Sequence, residues 1–164
     1  MYVYHLLNKI MKSILLVVGL ALSSIASAQW SNHVVDNGFD DKYNIAWTEN
    51  DGTCYLKLEK LDDGNVIFYI SGGYFCNDNL TVDLSFLVHG TYKKYNSSGV
   101  LSSDKTTVFI IRDVLHDGCI DDFKACTSMK IRINDSNCGT EIYEFKMSGS
   151  TSALNFVNNQ WNTL

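Results

Sequence analysis

The chain has no proline in 164 residues, where average usage of about 5% would place several. That absence removes the stiff polyproline linkers that separate domains and the commonest source of slow isomerisation phases. Basic charge is also scarce, with 13 Lys and Arg against 18 Asp and Glu. Lys93-Lys94 is the only basic doublet. Such a surface opposes attraction to phosphate backbones, so no nucleic-acid partner is expected. The chain lacks a Cys-x-x-Cys pair, a His-Glu-x-x-His helix, a Gly-x-Ser-x-Gly elbow and a phosphate-cradling glycine loop. The usual signatures of zinc, hydrolase and nucleotide chemistry are therefore missing, and neither a metal nor a cofactor is expected.

Long apolar runs are missing too, apart from Leu15 to Leu22, broken only by Gly19. That stretch is shorter than the roughly 20 residues a membrane span needs. Lys9 and Lys12 precede it, no acidic residue occurs before Asp36, and Ser23–Ala28 ends in Ala-Ser-Ala. A charged start, a short apolar core and a small-x-small exit predict a secretory signal cut before Gln29. A retained N-terminal anchor is the alternative. Met11-Lys12-Ser13 opens a compact version of the same signal, which makes Met11 a candidate start. Either start leaves residues 29–164, enough for one domain with a real core and with no membrane span left. Loss of Lys9 and Lys12 takes the basic count from 13 to 11 against 18 acidic residues, a formal −7. The expected location is periplasmic or secreted.

Five cysteines are present: Cys54, Cys76, Cys119, Cys126 and Cys138. Export permits at most two disulfides among them. A turn at Asp62-Asp63-Gly64-Asn65 makes residues 54–75 a hairpin, with Leu56 and Leu58 on one arm and Val66 to Ile70 on the other. Residue 54 then opposes about residue 73, which predicts a Cys54–Cys76 staple. Cys119 and Cys126 flank a short acidic stretch and form the natural second pair, leaving Cys138 as a free thiol; Cys119–Cys138 is the alternative.

Period-two alternation dominates the rest. Leu80, Val82, Leu84, Phe86 and Val88 are apolar between polar Thr81, Asp83 and Ser85, the clearest half-buried strand. Met129, Ile131 and Ile133 give a second, Tyr143, Phe145 and Met147 a third, and Tyr43, Ile45 and Trp47 an early one. Val66 to Ile70 and Val108 to Ile111 are apolar on both faces, as central strands are. Gly72-Gly73, Asn96-Ser97-Ser98-Gly99 and Asn137-Cys138-Gly139 read as turns or strand ends. Ser150 or Thr151 could cap a short terminal helix carrying Ala153, Leu154, Phe156 and Val157. Together these predict a mainly β fold: an antiparallel sandwich or barrel of about seven or eight strands with one short C-terminal helix.

The residues that could carry chemistry are few. Asp113 to Asp122 packs carboxylates, His116 and Cys119 into one stretch, but the spacing fits no calcium loop, and a solvated, disulfide-tied loop is expected. Asp36 to Asp41 fails the same test. Tyr69, Tyr74, Phe75, Tyr92 and Tyr95 cluster around two strand ends and could form a platform for a sugar or a partner protein; ordinary packing is the competing reading. The acceptor tripeptides at Asn79, Asn96 and Asn134 matter only in a eukaryotic secretory pathway.

The tail Tyr143–Leu154, a strand running through Gly149 into a short helix with an Ala-Leu pair, resembles an ending that recurs in small bacterial periplasmic proteins. The chain resembles the invasion-associated locus B family in that tail, in its export signal, in Trp47 shortly before Cys54, and in Gly118-Cys119 ahead of the late strands. It departs in its lack of proline and in Cys126 and Cys138. The resemblance implies an exported β domain without known catalysis, contributing to envelope or host interaction. The expectation is therefore a binding protein of inhibitor, immunity or host-interaction type, with a protein partner made basic by charge complementarity. The alternatives are a small hydrolase using carboxylates or Cys138, and a carbohydrate-binding module built on Tyr92 and Tyr95.

Overall fold

A computed structural model describes residues 29–36, 38, 42–50, 53–61, 66–77, 79–110 and 117–159. The expected signal, the Asp62–Asn65 turn, Asp113, His116 and Trp161 lie outside the described residues. Among those described, nine strands form one antiparallel sheet: β1 (Ser31–Val35), β2 (Tyr43–Glu49), β3 (Tyr55–Lys60), β4 (Val66–Ser71), β5 (Asn79–Val88), β6 (Thr91–Leu101), β7 (Thr107–Ile110), β8 (Ser128–Asp135) and β9 (Gly139–Lys146). Their spatial order is β1-β2-β3-β4-β7-β6-β5-β8-β9. The fold is thus mainly β and antiparallel as expected, but the sheet is single and open, with β1 and β9 as its edges. It curls until β9 approaches β2.

One face of this sheet carries the core. Leu56, Leu58, Phe68, Ile70, Val82, Leu84, Phe86, Val108, Ile110, Met129, Ile131 and Phe145 are all but fully buried. A buried side chain of this size contributes about 1.5–3 kcal/mol. Two helices cover the face. The first, α1 (Asp117–Ala125), takes up much of the stretch expected to be a solvated, disulfide-tied loop. Cys119, Phe123 and Cys126 recur at the helical spacing and point inward. Phe123 stacks on Phe68 at 4.7 Å and meets Phe86 and Trp30 edge-on. Burial of this three-residue stripe outweighs the turn preference of the acidic residues between its members.

The second helix, α2 (Ser150–Asn158), is the predicted terminal one, yet neither Ser150 nor Thr151 caps it; the N-cap is Gly149. Their hydroxyls donate to the carbonyls of Phe123 and Lys124 in the last turn of α1. They satisfy orphan acceptors of the neighbouring helix rather than donors of their own.

The long hairpin also differs from expectation. Asn96 to Gly99 lie inside β6, and the chain reverses at His89-Gly90, where both residues have positive φ. Two such residues in succession suit the twist of a tight antiparallel hairpin.

Candidate functional site

The outer face of the sheet is built from the residues that alternate with the core, and it divides into two chemistries. Over β2, β3, β4 and β7 it is aromatic and aliphatic. Register carries a straight row across the strands: Ser31, Trp47, Lys57, Tyr69, Phe109 and Val100 are successive partners. Ile45, Glu59 and Ile67 form the adjoining row. Tyr69 is only 8% exposed although it lies on the outer face. Its ring packs against Phe109 at 5.5 Å, and its hydroxyl donates to Glu59 at 3.2 Å. Lys57 Nζ lies 5.7 Å from the ring centres of both Tyr55 and Tyr69, within cation–π range. Burial, with Glu59 next in weight, holds the Tyr69 phenol well above its ordinary value. His33 meets Trp47 edge-on at the rim.

This half owes its character to β2, whose register is the reverse of what its composition predicts. Asn44, Ala46 and Thr48 are buried in the core, while Tyr43, Ile45 and Trp47 are half-buried on the outer face. The inner side is small and polar because α2 lies against it. Asn44 Nδ2 donates to the Phe156 carbonyl at 2.8 Å, and Lys60 Nζ to that of Asn158 at 3.0 Å. Both satisfy carbonyls at the helix C-terminus, where the cation also meets the negative end of the helix dipole.

Over β5, β6, β8 and β9 the outer face is polar. Asp83 accepts from Arg132 Nε at 2.7 Å, pairs with its Nη2 at 2.5 Å, and also accepts from Asn96 and Asn134. Lys130 pairs with Glu144 at 3.3 Å.

The aromatics singled out by sequence are not assembled into one platform. Phe75 is buried in the core, and Tyr95 packs on Phe86 and donates its hydroxyl to Asp122 at 2.5 Å. That bond, with burial behind it, pushes the Tyr95 phenol up to about 12. Tyr92 and Tyr74 are the exposed members, at 50% and 67%. Odd spacing sends Tyr92 and Tyr95 to opposite faces of β6. Of the cluster, Tyr69 alone lies in the aromatic half. The only sequence signal for this half is that Val66–Ile70 and Val108–Ile111 are apolar on both faces, a pattern that full burial produces equally well.

The cysteine framework is corrected as well. Cys76 is bonded to Cys138, with Cα atoms 5.7 Å apart, so Cys138 is not a free thiol and Cys54 is not the partner of Cys76. The hairpin register is close to expectation, since Tyr55 opposes Ser71. The chain then leaves the hairpin at Gly72, where φ is positive and a Cβ would stand 2.5 Å from the Thr53 carbonyl oxygen, so only glycine fits. It crosses toward the β8–β9 turn, where the buried Asp135 carboxylate accepts from the backbone N–H groups of Cys76, Asn77, Asn137 and Cys138 at 2.6 to 3.2 Å. Burial would raise this carboxyl, but the four donors outweigh it and hold it below the usual range. Cys119 and Cys126 stand at either end of α1, about 10 Å of helix rise apart, beyond the reach of a disulfide. Both carry separate buried thiols, pushed up to about 12 mainly by burial. Cys54 is buried and raised in the same way, beside Tyr143. At neutral pH these three are thiols, not nucleophilic thiolates. Cys76, Asp135 and Cys138 bring their donor atoms within 4.8 Å of one another, but the disulfide occupies both sulfurs.

No protein-family model and no curated protein matches the chain. Among solved structures, its fold is similar to that of the invasion associated protein B from Bartonella henselae. The TM-score is 0.55 at 16% sequence identity, over 78% of this chain and 90% of that one. The weak resemblance read from the sequence is thus met by a similar fold.

Proposed function

We propose that this chain is an exported protein that acts by binding a protein partner on the aromatic half of its outer sheet face, without catalysing a reaction. The inverted register of β2 carries the reading. Tyr43, Ile45 and Trp47 stand outside the core while Asn44 and Thr48 stand within it. Folding needs only one apolar face from a strand, and a second, half-buried apolar face carrying Trp47, Tyr43 and Tyr55 has the aromatic composition of a protein-binding hot spot. The formal charge of the mature chain favours encounter with a basic partner. Export is supported by the signal-like first 28 residues and by the Cys76–Cys138 disulfide, which belongs to oxidising compartments. The similar protein from Bartonella is described as invasion associated, in keeping with a role at the envelope or outside the cell.

The test is affinity capture from envelope and secreted fractions at low and physiological salt, with wild-type protein beside Trp47→Ala/Tyr55→Ala. A protein retained by wild type and lost by the variant is the expected result. A captured protein held equally by both would overturn the site, and capture of none would overturn the function.

A further inference from the structure

The polar half of the outer face holds a depression of about 220 Å³ between β5, β6 and β8, reaching Ile142 on β9. Its rim is set by register. Ser85 is flanked by Lys94 on one side and Lys130 on the other, and the next row runs Asn96, Asp83, Arg132, Ile142. Three cations and one carboxylate therefore line the depression in a chain whose formal net charge is −5, and one of the cations, Lys130, is paired with Glu144 on β9. The carboxylate is already committed: Asp83 accepts from Arg132, Asn96 and Asn134. It acts as a positioning residue that fixes the Arg132 fork. Of the five guanidinium donors, only Nε and Nη2 are engaged with Asp83. The others, with the ammonium of exposed Lys94, can receive an anion.

We propose that this depression binds the carboxylate or sulfate of an acidic saccharide. Two further features favour a sugar over a bare oxyanion. The volume lies below the roughly 300 Å³ at which drug-sized clefts begin, yet it exceeds what one oxyanion fills, so it suits a single ring. Exposed apolar groups also stand beside it on the same face. Ile142 is 64% exposed on the rim, and Tyr92, two residues before Lys94 on β6, is 50% exposed. An aromatic ring and an aliphatic side chain beside the Ser85 hydroxyl and the Asn96 amide oxygen match the apolar C–H face and the hydroxyl edge of a pyranose. This site is independent of the aromatic half, and its failure would leave the protein-binding proposal untouched.

The test is titration calorimetry of the disulfide-bonded protein with digalacturonate, with the corresponding neutral digalactoside, and with inorganic sulfate alone. Digalacturonate is expected to bind at millimolar concentration or below, with the neutral sugar and free sulfate each at least tenfold weaker. Lys94→Glu, at an exposed position, is expected to weaken digalacturonate at least tenfold with unchanged circular dichroism. Arg132→Lys, which keeps the charge and loses the fork, is expected to weaken it severalfold. Equal binding of the neutral sugar would overturn the anionic requirement, and equal binding of sulfate would overturn the saccharide. Absence of heat with digalacturonate, or full affinity in Lys94→Glu, would overturn the site.

Discussion

The two halves of the outer face rest on the same kind of core but could hardly differ more in what they show to water. Beneath β5 and β8 lie Val82, Leu84, Phe86, Met129, Ile131 and Ile133; beneath β3, β4 and β7 lie Leu56, Leu58, Phe68, Ile70, Val108 and Ile110. Outside, the first group is backed by Thr81, Asp83, Ser85, Lys130 and Arg132, and the second by Lys57, Ile67, Tyr69 and Phe109. The polar half is what folding requires of a sheet with one wet face. The aromatic half carries a second, partly buried apolar face outside the core, and the protein-binding proposal rests on that departure from simple alternation.

Stability measurements offer the largest separation of the halves. Tyr69→Ala removes a ring that is 8% exposed between Lys57 and Phe109 and should cost about 3 kcal/mol. Tyr92→Ala, on the same outer face but half exposed, should cost less than about 0.5 kcal/mol. Urea unfolding of the two variants decides this, and equal losses would mean the aromatic half is ordinary surface. Binding comes next. Trp47→Ala/Tyr55→Ala should lower affinity for a captured partner at least tenfold, while Thr140→Ala, pointing outward from β9, should change it less than twofold.

A third measurement concerns the polar inner side of β2. The buried Thr48 hydroxyl has no hydrogen-bond partner among the described residues, so Thr48→Val should raise stability by about 1 kcal/mol. A loss instead would show that this hydroxyl is satisfied.

The smallest effect is the pH dependence, where the halves should fail at opposite ends. Burial alone would raise the Asp83 carboxyl, but Arg132, Asn134 and Asn96 outweigh it and leave it below the usual range. Its contribution is present above the unfolded value near ~3.9 and is lost as pH falls through the lower folded one. For a partly exposed pair that is about 0.5 kcal/mol, and Asp83→Asn should remove it from the acid limb of a stability profile. Tyr69 is shifted upward, by burial first and Glu59 second. Its contribution holds below the unfolded value of about 10 and is lost as pH rises toward the folded one. Tyr69→Phe should remove that share of the alkaline limb, and an unchanged limb would place the titrating group elsewhere.

Much of the fold was legible because period two is a strong signal wherever one face is wet. β5, β8 and β9 stand where Leu80–Val88, Met129–Ile133 and Tyr143–Met147 placed them, and the hairpin of β3 and β4 keeps nearly its expected register. Asn96–Gly99 misleads because small polar residues serve an exposed strand as well as a turn. The helix α1 escapes the pattern because Asp121, Asp122 and Lys124 obscure a short inward stripe of Cys119, Phe123 and Cys126. The aromatic site was visible only as strands apolar on both faces.

The sequence by itself determined the β class, the antiparallel alternation, the terminal helix and the number of cysteines, since these follow from local periodicity and composition. Tertiary structure alone decided which face of β2 is inside, because that depends on α2 packing against β2 and on Asn44 reaching the Phe156 carbonyl. It also decided that Cys76 meets Cys138, residues 62 positions apart, around the buried Asp135 carboxylate. Pairings at that distance are chosen by the path of the whole sheet, and no local pattern encodes them.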